Sequence, residues 1–109
     1  MSSADLLRAL GNKYSAEILD ATDDPRSAQE LSEELDIPIA TCYRRIDELT
    51  DYGLLELHDS ILSEDRRRIK VYRRNVEAVR VEFAEDLSVS VEERAEVTST
   101  LDEAWRRLS

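Results

Sequence analysis

A chain of 109 residues with 25 acidic and 15 basic groups, net charge −10, suits one acidic domain with a small core. No apolar run approaches the ~20 residues that cross a bilayer, and no basic-then-apolar leader opens the chain, so a cytoplasmic location and no membrane contact are expected. One cysteine excludes an intrachain disulfide and a cysteine-cluster metal site, and two glycines exclude a glycine-rich phosphate loop, so neither metal nor cofactor is expected.

In chain order, Met1 to Ser3 reads as a frayed start. Ser3 is placed to cap a helix ending near Leu10, with Gly11 as its stop and Leu6, Leu7 and Leu10 as its apolar face. A second helix, about Tyr14 to Ala21, buries Ile18 and Leu19. Thr22-Asp-Asp-Pro25 is turn chemistry.

Ser27-Ala-Gln-Glu30 is a capping box, and Leu31 and Leu35 then fall on one helical face. Asp36-Ile37-Pro38 interrupts the pattern, because the residue before a proline avoids the α region. A further helix follows, about Ile39 to Tyr52. Cys42, Ile46, Leu49 and Gly53 line one side of it, and Gly53 ends it with a positive φ. On the apolar side Cys42 is expected to be a small core residue. The other side carries Ala40, Thr41, Arg44, Asp47 and Glu48, with Tyr43 and Arg45 on the flanks. Two short helices joined this way form a helix-turn-helix, whose second helix enters the major groove by its N-terminal residues. Arginine can meet guanine with two hydrogen bonds, threonine a thymine methyl or base edge, and tyrosine a phosphate.

Leu54 to His58 alternates, with Leu55 and Leu57 on one side. Arg68 to Arg73 alternates with Ile69 and Val71 inward. Asp59 to Arg67 is then an open hairpin loop. Arg66, Arg67 and Arg68 cluster at its returning edge, with Lys70 next on the outer face. A basic hairpin beside a recognition helix is a wing, placed to touch phosphates or the minor groove.

Beyond Asn75, Val79, Val81 and Phe83 alternate with polar residues, as do Leu87, Val89 and Val91. A second β-hairpin is expected, although helical spacing also runs through Val76, Val79 and Phe83. Ser90-Val-Glu-Glu93 has the form of another capping box, opening a last helix to about Leu108. Val97, Leu101, Ala104, Trp105 and Leu108 form its apolar stripe, free to pack on its own domain or on a second copy.

The charge is unevenly spread. Residues 1–37 hold three basic and nine acidic groups, residues 38–75 eight and seven, and residues 76–109 four and nine. More than half of the basic groups thus fall in the third that contains the second helix and the wing, and thirteen of the fifteen are arginine, suited to planar bidentate contacts.

The run RSAQELSEELDIPIATCYRRIDELTDYGLLEL resembles the winged helix-turn-helix of ArsR-type archaeal transcription regulators, and ALGNKYSAEILDAT resembles that domain's opening helices. The resemblance covers about residues 4–75. It implies a winged helix-turn-helix, and with the C-terminal β-hairpin and helix read above the expected fold is α+β, mainly helical. Residues 1–75 would be the DNA-binding domain and residues 76–109 a dimerisation extension. It also implies double-stranded DNA as partner, with Ala40, Thr41, Tyr43, Arg44 and Arg45 in the recognition helix and Arg66, Arg67 and Arg68 in the wing. A homodimer paired through the terminal helix is implied too. Metal-sensing members carry paired cysteines, which this chain lacks. The acidic, lysine-poor remainder resembles proteins of salt-loving archaea.

A sequence-specific regulator is therefore the leading expectation. The alternative is a winged-helix module that binds protein, and it requires Arg44 and Arg45 to be held in internal salt bridges. An enzyme is not expected. His58, the one histidine, has no identifiable nucleophile or metal partner beside it.

Overall fold

The computed structural model describes residues 2–94. The chain folds as an α+β winged helix-turn-helix, and the described residues form four helices, a three-stranded antiparallel sheet and a separate β-hairpin. Helix α1 (Ser3–Gly11) is capped by Ser2, whose Oγ accepts from the Asp5 amide at 3.2 Å. The cap therefore lies one residue earlier than the sequence predicts. Ser3 is not free for that role, because its hydroxyl accepts from the Val89 amide at 3.2 Å. Gly11 stays helical instead of stopping the helix, and the left-handed residue that redirects the chain is Tyr14, at φ 76°. Helix α2 (Ser15–Ala21) buries Ile18 and Leu19 and is closed by Thr22, whose Oγ1 donates to the Ile18 and Leu19 carbonyls.

Strand β1 (Arg26–Ser27) has only two residues and was not expected, since two residues cannot show alternation. Ser27 serves twice. It pairs with Val71 in the sheet and caps α3 (Ala28–Leu35), its Oγ accepting from the Glu30 amide while Glu30 accepts from the Ser27 amide, both at 3.1 Å. Asp36, at φ 55°, ends α3 in the left-handed region and turns the chain into α4 (Ile39–Asp51). Cys42, Ile46 and Leu49 form the buried stripe of α4, and Gly53 at φ 74° supplies the expected exit. These side chains join Ile18, Leu31, Ile37, Leu54, Leu55 and Val76 in one core. Each fully buried Leu or Ile contributes roughly 1.5–3 kcal/mol.

The wing is the antiparallel pair β2 (Leu55–Leu62) and β3 (Arg68–Arg74), and β3 sits between β1 and β2. Two expectations change here. Strand β2 continues four residues beyond His58, so the loop shrinks to a tight turn around Ser63–Arg67. Leu57 is 51% exposed although Leu55, two positions earlier on the same face of the strand, is 1% exposed, and beyond Leu57 the register slips and His58 bulges out of the ladder. A bulge of one residue turns the alternation over.

Strands β4 (Val76–Glu82) and β5 (Ser88–Glu93) form the second hairpin that the alternation predicts. Ser90 to Glu93 belongs to β5, with Ser90 opposite Arg80 and Val91 opposite Val79, so the predicted helix does not open at Ser90. Only Asn75 separates β3 from β4. Its amide donates to the Leu54 carbonyl at 2.9 Å, and its carbonyl accepts from the Arg94 amide at 3.0 Å. Val76 is 5% exposed, Val79 and Val91 pack on the common core, and α1 lies against β5. The hairpin is thereby seated on the helices. The apolar stripe Val97, Leu101, Ala104, Trp105 and Leu108 lies outside the described residues.

Candidate nucleic-acid interface

The buried stripe of α4 fixes which residues it shows to solvent. Cys42 Sγ donates to the Ala28 carbonyl at 3.4 Å, which ties the second helix of the pair to the start of the first. Burial pushes the Cys42 thiol up from its ordinary value, so it stays protonated and acts as core. Turned the other way in the first two turns are Ala40, Tyr43 and Arg44, all exposed, and Thr41, half-buried. Arg44 makes no ion pair or side-chain hydrogen bond among the described residues.

Arg45 does not share that surface. Its Nε donates to the Lys13 carbonyl at 2.9 Å and its Nη1 to Glu48 Oε1 at 3.0 Å, with the side chain 16% exposed. Glu48 also accepts from Asn12 Nδ2 at 2.8 Å. Together they lock α4 to the joint between α1 and α2. A side chain so engaged positions the helix and is not available to a base. Sequence spacing places Arg44 on the polar side and Arg45 on its flank, but it cannot show that Lys13 and Glu48 engage Arg45.

The same division runs through the basic residues on and beside the wing. Arg73 pairs with Glu56 at 2.9 Å. Arg74 donates to the Leu19 and Val76 carbonyls and to Asp23. Arg94 meets Asp23 at 3.2 Å and donates to its carbonyl, closing a node between the ends of α2, β3 and β5 that the sequence did not suggest. These arginines hold the base of the wing. By contrast Arg66, Arg67, Arg68 and Lys70 are exposed and form no ion pair among the described residues.

The wing tip is a short turn closed on itself. The Arg66 amide donates to the Ser63 carbonyl at 2.9 Å and the Ser63 amide to the Arg67 carbonyl at 2.8 Å. Ser63 Oγ accepts from the Arg67 amide at 3.1 Å. Arg66 takes φ 61°, the left-handed position that usually goes to glycine or asparagine in such a hairpin. Glu64 and Asp65 sit in the same turn and temper its charge.

Between α4 and the wing lies a cleft of about 700 Å³, walled by the start of α3, by Tyr43 and Asp47 of α4, and by Ile61, Lys70 and Tyr72 of the wing. Tyr43, Asp47 and Tyr72 line it together, and burial pushes the Tyr72 phenol up from its ordinary value, with the Asp47 carboxylate and Tyr43 adding to the shift. Among the described residues no group of three or more His, Cys, Asp or Glu side chains could hold a metal ion, and no helix is long and apolar enough to cross a membrane. His58 is exposed on β2, at the bulge.

Residues 1–58 match the family described as "Helix-turn-helix domain". A solved structure, the crystal structure of FurB from M. tuberculosis, a zinc uptake regulator, is similar at 28% sequence identity over 95% of this chain and 79% of that one, with a TM-score of 0.46. Among curated proteins none matches the chain.

Proposed function

The chain belongs to the helix-turn-helix domain family, and we propose that it is a sequence-specific transcription regulator of double-stranded DNA. Helix α4 enters the major groove, and the arginine-rich wing tip lies on the backbone or in the minor groove. The observation that carries this reading is the sorting of the arginines. Arg44 is exposed and unpaired among the described residues, and so are Arg66, Arg67, Arg68 and Lys70 in the wing, whereas Arg45, Arg73, Arg74 and Arg94 are bound within the fold. Arg44 is the base reader, with Thr41 and Tyr43 beside it and Ala40 giving close approach at the helix start. The wing cations neutralise phosphates.

The alternative, a protein-binding winged helix, required both Arg44 and Arg45 to be held internally. Arg45 is held and Arg44 is not, which favours DNA. Residues 76–109 are proposed as an extension that pairs two copies, with Val97, Leu101, Ala104, Trp105 and Leu108 as the contact. A two-fold homodimer would then read an inverted repeat with half-sites about 34 Å apart. A DNA-binding role carries a cytoplasmic location with it, and an ArsR-like protein of a salt-loving archaeon is the proposed source type.

The experiment is fluorescence anisotropy with duplex DNA from upstream of the chain's own gene, against a scrambled duplex, at near-molar KCl. Selective binding supports a regulator. Equal, weak binding to both duplexes, with capture of transcription-machinery protein instead, supports the alternative.

A further inference from the structure

The cleft between α4 and the wing carries opposite charges on its two walls. Glu33 of α3 and Asp47 of α4 stand on the helical wall, and Arg68 and Lys70 on the strand wall. None of these four is in an ion pair among the described residues; Glu33 accepts only from Gln29, at 3.4 Å. The walls cannot simply close on each other. The helical wall is held by the core and the Ser27–Glu30 capping box, and the strand wall by the β2–β3 ladder. Tyr43 and Tyr72 line the same cleft, with Ile61 and Ile69 adding apolar surface. The volume, about 700 Å³, falls in the range of small-molecule sites, roughly 300–1,000 Å³.

We propose that this cleft binds a small zwitterion, a molecule with an ammonium and a carboxylate at opposite ends of an apolar body, as in a free amino acid or a short peptide. The ammonium meets Asp47 and Glu33, the carboxylate meets Lys70 and Arg68, and the apolar body lies on the tyrosine rings and the isoleucines. A simple organic cation would face Arg68 and Lys70 without compensation, and a simple anion would face Glu33 and Asp47. Two fixed walls of opposite sign therefore select for both charges together. The consequence for regulation rests on the DNA-binding reading. Tyr43, Arg68 and Lys70 are proposed to meet DNA, so occupancy of the cleft and binding of DNA exclude one another.

The test is titration calorimetry, with amide chemical shifts of the labelled full chain, in the absence of DNA. The probes are L-phenylalanine and the dipeptide leucyl-phenylalanine as zwitterions, and phenethylamine and 3-phenylpropionate as single-charge analogues. At least one zwitterion is expected to bind saturably and to move the amides of Tyr43, Ile61 and Tyr72. Each single-charge analogue is expected to bind about tenfold more weakly, the ratio that one charge-assisted contact of about 1.4 kcal/mol supplies. Asp47→Asn and Glu33→Gln, both at exposed positions, are expected to weaken the zwitterion and leave the melting temperature unchanged. Which zwitterion binds distinguishes a free amino acid from a peptide. Equal binding of the single-charge analogues, shifts confined to other surfaces, or no saturable binding at millimolar probe would each overturn the site. A duplex titration runs in parallel, so that zwitterion binding without DNA binding defeats the regulator reading and leaves the site standing, and the reverse result does the opposite.

Discussion

Arg45 and Glu48 meet at 3.0 Å across one turn of α4, and that pair decides which half of the Arg44-Arg45 doublet is free. With Asn12 bound to the other Glu48 oxygen at 2.8 Å and Arg45 bound to the Lys13 carbonyl, the pair joins α4 to the turn that starts α2. Replacing Glu48 by alanine strands both partners. A loss of about 1–2 kcal/mol is expected, at the lower end because the pair is partly solvated. Thermal melts of Glu48→Ala, Arg45→Ala and the double variant measure it. Independent, additive losses would show that the two side chains are not coupled.

Arg66 is held at φ 61° at the wing tip, where a side chain costs about 1 kcal/mol relative to glycine. Arg66→Gly is therefore expected to raise the melting temperature slightly while weakening affinity for every duplex alike. A lower melting temperature would mean that the arginine side chain stabilises the turn.

Cys42 and Tyr72 both have their acid form favoured by the fold, Cys42 through burial and Tyr72 through burial, then Asp47 and Tyr43. A raised folded pKa leaves stability intact below the unfolded value and removes it as pH rises through the folded one. Stability is thus expected to be flat near neutrality and to fall once pH passes the ordinary thiol value of 9.0. Melts across that range should show a shallower decline for Cys42→Ala than for the wild type. In native protein the thiol should react with an alkylating reagent only as fast as the fold opens.

Near neutrality the chain carries a formal net charge of −10, and the acidic groups outside the wing repel one another in dilute buffer. Between about 0.1 M and about 2 M KCl the Debye length drops from about 10 Å to below about 3 Å. The melting temperature is expected to rise across that interval. A flat or falling trend would argue against the proposed high-salt origin.

Much of this architecture is legible in the sequence because it is written locally. The Ser27–Glu30 box, the buried stripe Cys42, Ile46 and Leu49, and the exit at Gly53 each depend on residues within a few positions of one another. What the sequence missed depends on distant partners. Ser90-Val-Glu-Glu93 satisfies a helix-capping pattern, yet pairing with β4 claims it for a strand. The strand read as far as His58 continues to Leu62, but the bulge at His58 shifts the register of every residue from Asp59 on, which only the pairing with β3 reveals. The pair Arg26–Ser27 becomes a strand only because β3 lies beside it. In the candidate interface, helical spacing marked the polar arc of α4 correctly but could not tell that Lys13 and Glu48, from two different stretches, would take Arg45 out of it.

The central claim is that Arg44 reads a base while the wing arginines grip the backbone. The most direct measurement is a set of anisotropy titrations in which each base pair of a selected duplex is changed in turn, for the wild type, Arg44→Ala and Arg68→Ala. Arg44→Ala is expected to lose about 1–3 kcal/mol and to become indifferent to the base at one position per half-site. Arg68→Ala should weaken all duplexes by the same factor and lower the salt dependence by about one ion. If Arg44→Ala kept the full preference profile, α4 would not be reading DNA through this face and the account would be wrong.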